Sequence, residues 1–423
     1  MGLERVRAVA DRLGLDAALG AARIVVGGTN GKGSTCAMLD AIYRAAGYRV
    51  GRYSSPHLVR FTERASIDGR PADEEELAGD FAAVEAARGS TTLTYFEFST
   101  LAVLSLFARA RLDMAVLEVG LGGRLDAVNI VDADCAVLTT VDLDHTELLG
   151  PTREDIGFEK AHIFRGARPA VCVDPQPPAS VLEVARACGA QLRLLGADFS
   201  VEVSAPGGRQ WNYLSRLPGG SRRALPWPAL RGSHQLRNAA GALAAIEALA
   251  QRLPVDQQAV RQGLVGVQLP GRFQAIPGRP AIILDVAHNP HAARALAQAL
   301  REHAAPAGTE AGAMPLAVER PGRTLAVFGM LRDKDAAQVV RILEDQIDGW
   351  HLAATGGERG QDAATLLRTA FSPQAAARCS VHRGVGEALD AAVGGAGPDD
   401  RIIVFGSFVI VADAMRWLEH RSR

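Results

Sequence analysis

Lysine is nearly absent from this sequence. Of its 46 basic residues 43 are arginine, and only Lys32, Lys160 and Lys334 are lysine. Arginine serves wherever a positive charge suffices. The three lysines are therefore candidates for work arginine does not do: presenting a compact ammonium, or losing a proton to become a nucleophilic amine. Net charge is equally scarce, with 46 basic against 47 acidic residues. That excludes a broad basic field for a nucleic acid and a polybasic segment for membrane lipid, and leaves small molecules as the expected partners. Cysteine is sparse and odd in number. Cys36, Cys135, Cys172, Cys188 and Cys379 form no CxxC pair, against a disulfide framework and against structural zinc. Long apolar runs are missing too. The longest, Ile402–Ala412, is too short for a bilayer and is broken by Gly406 and Ser407. The opening MGLERVRAVADRLGL interleaves charges as an amphipathic helix does, unlike a signal peptide. A soluble, cytoplasmic chain is expected.

At 423 residues the chain exceeds what one core usually supports, so two domains are expected. Short apolar runs at Ile24–Val26, Arg49–Tyr53, Met114–Val119 and Ala136–Val141 alternate with helical patterns at Ser34–Ala46 and Thr100–Arg111. This is the βαβ rhythm of a parallel sheet covered on both faces. Residues 200–230 are rich in Pro, Gly, Trp and Arg and suggest irregular β structure, followed by a helix over Asn238–Arg252. Gln268–Arg272 looks like a hinge. A second series has strands at Ala281–Val286, Thr324–Phe328, Trp350–Ala353 and Arg401–Phe405, with Asn289-Pro290 as an N-cap followed by proline at the first helical position. Residues 304–322 read as a flexible surface insertion. The expected division is residues 1–267, a hinge over 268–272, and residues 273–423.

The stretch Val25-Val-Gly-Gly-Thr-Asn-Gly-Lys-Gly-Ser-Thr35 joins a strand to a helix. Backbone N–H groups in such a loop converge on phosphate oxygens, Lys32 reaches the β- and γ-phosphates, and Ser34 or Thr35 can face a metal. Gly33 is an extra residue between Lys32 and Ser34 relative to the usual spacing. Glu118 closes an apolar strand at the sheet edge where ligands bind. It reads as a Mg2+ ligand or as a carboxylate paired with arginine. His145 follows the carboxylate-rich turn Asp142-Leu-Asp144. Two Mg2+ ions on a triphosphate need more ligands than Glu118 and His145 supply. A carbamylated Lys160 would be a carboxylate on a long arm, a modification arginine does not undergo.

Further stretches occur in a recognisable order: Tyr53-Ser-Ser-Pro-His57, Leu93-Thr-Tyr-Phe-Glu97, Leu117-Glu-Val-Gly-Leu-Gly-Gly-Arg-Leu-Asp126, Leu143-Asp-His-Thr146, Glu159-Lys-Ala161, Leu269-Pro-Gly-Arg-Phe273, Asp285-Val-Ala-His-Asn-Pro290, Gly329-Met-Leu331 with Asp333-Lys-Asp335, and Gly406-Ser-Phe408. With the phosphate loop they resemble the folylpolyglutamate synthase/dihydrofolate synthase family, a branch of the Mur-type ligases, from Gly2 to the C-terminus. The resemblance implies an α/β fold: a P-loop ATPase domain with a parallel sheet, plus a smaller Rossmann-like C-terminal domain for glutamate ligation, with the reaction in the cleft between them. It implies ATP, Mg2+ (two ions), and activation of a carboxylate as an acyl phosphate that the amine of L-glutamate attacks. The carboxylate is that of dihydropteroate or the γ-carboxylate of a reduced folate.

By the same resemblance ATP lies on Thr29, Asn30, Gly31, Lys32, Gly33, Ser34, Asn238, Arg272 and Asp285. Ser55, Glu118, His145 and Lys160, the last as a carbamate, look like the metal ligands. Thr94, Tyr95, Phe96, Glu97, Arg124, Leu125 and Asp126 match the pterin side; helix core is the competing reading of Tyr95 and Phe96. His288 and Ser407 match positions near the incoming glutamate, so Lys32, Glu118, His145, Lys160 and His288 form the expected catalytic set. Lys334 has no assigned role beyond a salt-bridged loop anchor. Val128 stands where the family has a small or hydroxyl residue. Relatives carry a helical segment ahead of the stretch that begins here at Gly2, part of which serves the dihydropteroate site in bifunctional members. A monofunctional folylpolyglutamate synthase is accordingly the alternative to a bifunctional enzyme. A muramoyl-peptide ligase fits the TYFE and SSPH motifs poorly, and a P-loop switch has no use for the DVAHNP and GSF loops. A monomer is expected.

Overall fold

The structure is a computed structural model and describes residues 2–15, 19–204, 210–217, 220–303 and 322–421. The expected insertion over 304–322 lies, except for Gly322, outside the described residues. Two compact units result: Met1–Ala229 with His234–Gln268, and Leu230–Ser233 with Leu269–Arg423.

The first unit is built on strands β1 (Ala22–Gly27), β2 (Val50–Tyr53), β3 (Ala65–Ile67), β4 (Arg70–Pro71), β5 (Met114–Glu118), β6 (Cys135–Leu138), β7 (Pro169–Cys172) and β8 (Gln191–Leu194). Their order is β4-β3-β2-β5-β1-β6-β7-β8. The six from β2 to β8 run parallel, and β3 and β4 are added antiparallel at one edge. Central strands β5 and β6 are buried at every residue, which explains their unbroken apolar runs. Register places Val26 beside Glu118 and Tyr53 beside Leu117, so the ends of β1, β2 and β5 meet at one edge.

The helix expected from Thr100 starts earlier, at Tyr95. Thr94 caps it reciprocally with Glu97: the Thr94 N–H donates to Glu97 Oε2 at 2.7 Å and the Glu97 N–H to Thr94 Oγ1 at 3.2 Å. The helix expected over Asn238–Arg252 runs from His234 to Ala248. The β structure expected over residues 200–230 is an antiparallel sheet of β9 (Phe199–Val203), β10 (Gln210–Ser215) and β11 (Arg222–Pro226), with a register shift between Trp211 and Tyr213. Trp211 is fully buried there and its indole N–H reaches the Pro226 carbonyl at 2.9 Å. Glu247 accepts from the Tyr213 and Ser215 hydroxyls, each at 2.7 Å, and ties the sheet to the helix His234–Ala248.

The second unit carries β12 (Gln274–Ile276), β13 (Ala281–Leu284), β14 (Thr324–Phe328), β15 (Gly349–Ala353), β16 (Cys379–His382) and β17 (Arg401–Phe405), in the order β12-β13-β17-β14-β15-β16. All but β12 are parallel. Phe328, Trp350 and Phe405 pack as an aromatic cluster in its core, with centroids 4.9–6.1 Å apart. Truncating one such fully buried ring costs about 3–5 kcal/mol. Asn289 caps the helix Pro290–Glu302 through the N–H of Ala292, with Pro290 at its first position.

Candidate active site

The turn after β1 is held by the protein's own hydrogen bonds. The Thr29 N–H donates to the Thr140 carbonyl at 2.6 Å, and the Thr139 hydroxyl donates to the Asn30 carbonyl at 2.7 Å. Thr29 Oγ1 bonds both the carbonyl and the N–H of Asp142, at 3.1 and 3.0 Å. Gly28 and Gly31 have φ of 140° and 89°, and a Cβ would strike the Thr139 hydroxyl at the first and the Asn238 amide at the second. Only glycine fits both. The helix Lys32–Ala45 opens directly behind, with Gly31 as its N-cap and Ser34 and Thr35 buried in its first turn. The Thr35 hydroxyl is buried and makes no hydrogen bond. An orphaned hydroxyl behind a phosphate loop is what a metal-bound nucleotide site requires.

Two of the three lysines meet here. Lys32 Nζ donates to the Gly28 carbonyl at 2.9 Å and to that of Thr29 at 3.2 Å, while Lys160 Nζ reaches the same Gly28 carbonyl at 3.1 Å. Lys160 is 5 % exposed. Burial and the positive charge of Lys32 lower its pKa to about 7, against the opposing pull of Asp144 and Asp126. Part of the Lys160 population is thus a free amine at neutral pH.

Glu118 ends β5 at 4 % exposure, and the Ser55 N–H points at its Oε2 from 3.4 Å. His145 takes the left-handed conformation, with φ of 51°, at the head of the helix Thr146–Leu149. Its N–H bonds Asp144 Oδ1 at 2.9 Å, and its Nε2 lies 3.8 Å from that oxygen. Among the described residues no three His, Cys, Asp or Glu side chains gather as a metal cluster. Any ion here must take a mixed set of ligands, in which a hydroxyl and a modified amine are chemically suitable additions.

The side chains read as the pterin side divide into two kinds. Thr94 and Glu97 are committed locally to the cap, and Glu97 also pairs with Arg5 at 3.2 Å. Asp126 is buried, accepts from the N–H groups of Leu121 and Val128 at 2.8 and 2.9 Å, and fixes the Gly-rich turn; burial raises its pKa to about 6. Leu125 is half-buried in that turn, and Val128 lies fully inside the core. Arg124 pairs with Glu159 at 2.8 Å and lies over the Phe158 ring. Tyr95, by contrast, is 63 % exposed, which excludes helix core for it. Phe96 is half-buried, stacked on Tyr53 with centroids 6.1 Å apart.

In the second unit, Asp285 follows β13, is half-buried, and accepts from the N–H groups of Phe273 and Ala287, each at 2.8 Å. Burial raises its pKa, and the Arg272 charge opposes this. Arg272 and His288 both approach the Phe408 ring, at 5.2 and 6.0 Å. His288 Nδ1 lies 2.8 Å from the Val286 carbonyl, an acceptor that calls for the proton on Nδ1. Ser407 is buried, its hydroxyl accepting from the Ile410 N–H at 3.2 Å. Lys334 sits in a loop whose neighbour Asp333 pairs with Arg359.

Sequence reading missed Thr139 and Thr140, the hydroxyl clamp on the phosphate loop. Their signal was two threonines directly after a buried strand on the ligand edge. It also missed Arg64, 7 % exposed, which donates to His57 Nδ1 at 2.8 Å and faces the Tyr95 and Phe61 rings, each at 5.4 Å. A buried arginine among aromatics leaves no periodic trace.

Two family models match the chain: "Mur ligase middle domain" over residues 26–176 and "Mur ligase, glutamate ligase domain" over 271–408. The dihydrofolate synthase/folylpolyglutamate synthase of Escherichia coli K12 is 44 % identical over 423 residues, which span all of this chain and 92 % of that protein. The solved E. coli FolC in complex with DHPP and ADP superposes with a TM-score of 0.89 at 43 % identity, covering 100 % of this chain and 94 % of that one. A bifunctional folylpolyglutamate synthase/dihydrofolate synthase with Mn, AMPPNP and L-glutamate bound gives a TM-score of 0.87 at 43 % identity, covering 99 % and 94 %.

Proposed function

The chain belongs to the dihydrofolate synthase/folylpolyglutamate synthase family of Mur ligases, and we propose which of its residues carry that family's reaction. It is an ATP-dependent ligase that joins L-glutamate to dihydropteroate and to the γ-carboxylate of folates. The convergence of Lys32 and Lys160 on one carbonyl, beside an orphaned hydroxyl, is the observation that carries the assignment of roles.

A carboxylate resists attack by an amine until one of its oxygens becomes a leaving group. The substrate carboxylate oxygen bonds the γ-phosphorus of ATP and ADP departs. The glutamate nitrogen then bonds the acyl carbon, the carbon–oxygen bond to phosphate breaks, and the nitrogen loses a proton. The first step calls for positioning and charge neutralisation rather than covalent help from the protein. The N–H groups of Gly31–Ser34 and the Lys32 ammonium supply both. Magnesium, held by Ser55, Glu118, His145 and carbamylated Lys160, would add Lewis-acid neutralisation at the phosphate oxygens. Carbamylation itself needs a neutral amine: Lys160 nitrogen bonds carbon dioxide and releases one proton. The lowered Lys160 pKa supplies that amine, and the positive charge of Lys32 beside it favours the anionic product. Asn238 backs the loop at Gly31, and we assign it, Arg272 and Asp285 to ATP. His288 and Ser407 are assigned to the incoming glutamate. We place the enzyme in the cytoplasm, a reading supported by five cysteines that are all free thiols.

The test is phosphate release from Mg-ATP with L-glutamate, comparing dihydropteroate with a reduced folate. Activity on both fits the bifunctional reading. Activity on folate alone leaves the monofunctional one, and glutamate-independent hydrolysis would overturn both.

Tyr95 presents an exposed ring backed by Phe61 and Arg64 and suits stacking on a pterin. Tyr95→Ala should raise KM for dihydropteroate about three- to tenfold and leave kcat nearly unchanged. A drop in kcat at constant KM would remove the ring from substrate binding.

A further inference from the structure

Three donor atoms come together on the outer strands of the second unit, away from every group assigned above. His351 lies in β15 and His382 at the end of β16, whose only partner is β15. The parallel register pairs His351 with Ser380 and Ala353 with His382. Alternate residues share a face, so His351, Ser380 and His382 project from the same side of the sheet. His351 Nδ1 is 3.3 Å from His382 Nε2, and the Ser380 hydroxyl is 3.0 Å from the first and 2.8 Å from the second. The ring planes lie 28° from parallel with centroids 5.4 Å apart.

We propose that His351 and His382, with the Ser380 hydroxyl between them, bind a divalent transition cation of the zinc, copper or nickel class. The distance between nitrogens carries the argument. Two nitrogens about 2.0–2.1 Å from a tetrahedral ion stand about 3.3 Å apart. That is the separation found here, reached by two side chains on hydrogen-bonded strands rather than on loops. In the structure the two nitrogens share a hydrogen-bond contact with the Ser380 hydroxyl in reach of both, and a cation would take the place of the shared proton. Both rings are half-buried and within reach of solvent. Neutral imidazoles select borderline cations over Mg2+, which takes oxygen ligands. The site is therefore chemically distinct from the nucleotide metal site, with water completing the coordination.

The experiment titrates the full chain with Zn2+ by calorimetry in excess Mg2+. The exposed Cys188 is changed to serine throughout so that its thiol does not compete. One Zn2+ per chain is expected. His351→Phe and His382→Gln should each weaken it at least about tenfold, with glutamate ligation and melting temperature in metal-free buffer unchanged. With Cu2+ as probe, the electron paramagnetic resonance spectrum should show two nitrogen ligands, and one in either variant. Equal stoichiometry and affinity in the double variant, or no Zn2+ bound by the parent up to millimolar concentration, would overturn the proposal. The glutamine variant keeps a hydrogen-bonding side chain on β16. Its melting curve thus separates loss of the ligand from loss of the strand.

Discussion

Lys160→Arg should abolish glutamate ligation, lowering kcat by at least about a thousandfold, while ATP still binds. The charge is retained, so an electrostatic role alone would survive the change. What is lost is an amine able to shed its proton and take up carbon dioxide. Arginine stays protonated throughout the working pH range, whereas Lys160 is held near 7 by burial and by Lys32. The guanidinium is also too broad for a position 5 % exposed and bonded to one carbonyl oxygen. A second variant separates chemistry from packing. An unmodified Lys160, with its folded pKa below the unfolded value, binds fewer protons folded than unfolded. Its contribution to stability therefore rises with pH between about 7 and the ordinary lysine value, and below 7 the buried charge is a net cost. Lys160→Met removes that cost and should fold as well as the parent while remaining inactive. The check is glutamate-dependent phosphate release beside nucleotide titration, with and without added bicarbonate. A fully active arginine variant would end the carbamate reading.

Glu118→Gln should act through the metal. The substitution keeps shape and removes one charge at the end of a fully buried strand. Loss of a charged ligand is expected to raise the Mg2+ concentration for half-maximal rate at least about tenfold and to lower kcat by roughly 10²–10³. Measuring rate against Mg2+ concentration distinguishes the cases. An unchanged curve would return Glu118 to the other reading of the sequence, a structural carboxylate.

The phosphate loop and the central strands were legible because each is local: an apolar run, a glycine turn, a capped helix. Glu118 and His145 drew notice for the related reason that they follow strand ends on one edge. Thr94 and Glu97 show the limit: their spacing is that of a capping box, which the sequence reading did not name. β16, Cys-Ser-Val-His, is too short and too polar to announce itself as a strand. Without it the 31 residues separating His351 and His382 gave no reason to join them. The antiparallel sheet over residues 199–226 depends on Glu247, a partner outside that stretch, and so left only a vague β signal in sequence.

The hydroxyl clamp of Thr139 and Thr140 on Asn30 also bears on the thermodynamics of nucleotide capture. A free glycine-rich segment gives up about 1–2 kcal/mol of backbone entropy per residue when it is ordered. Here hydrogen bonds from the chain itself hold Asn30 once β6 docks beside β1. Part of the entropy cost of shaping the loop is thus met in folding, and the binding isotherm of ATP is relieved of that part.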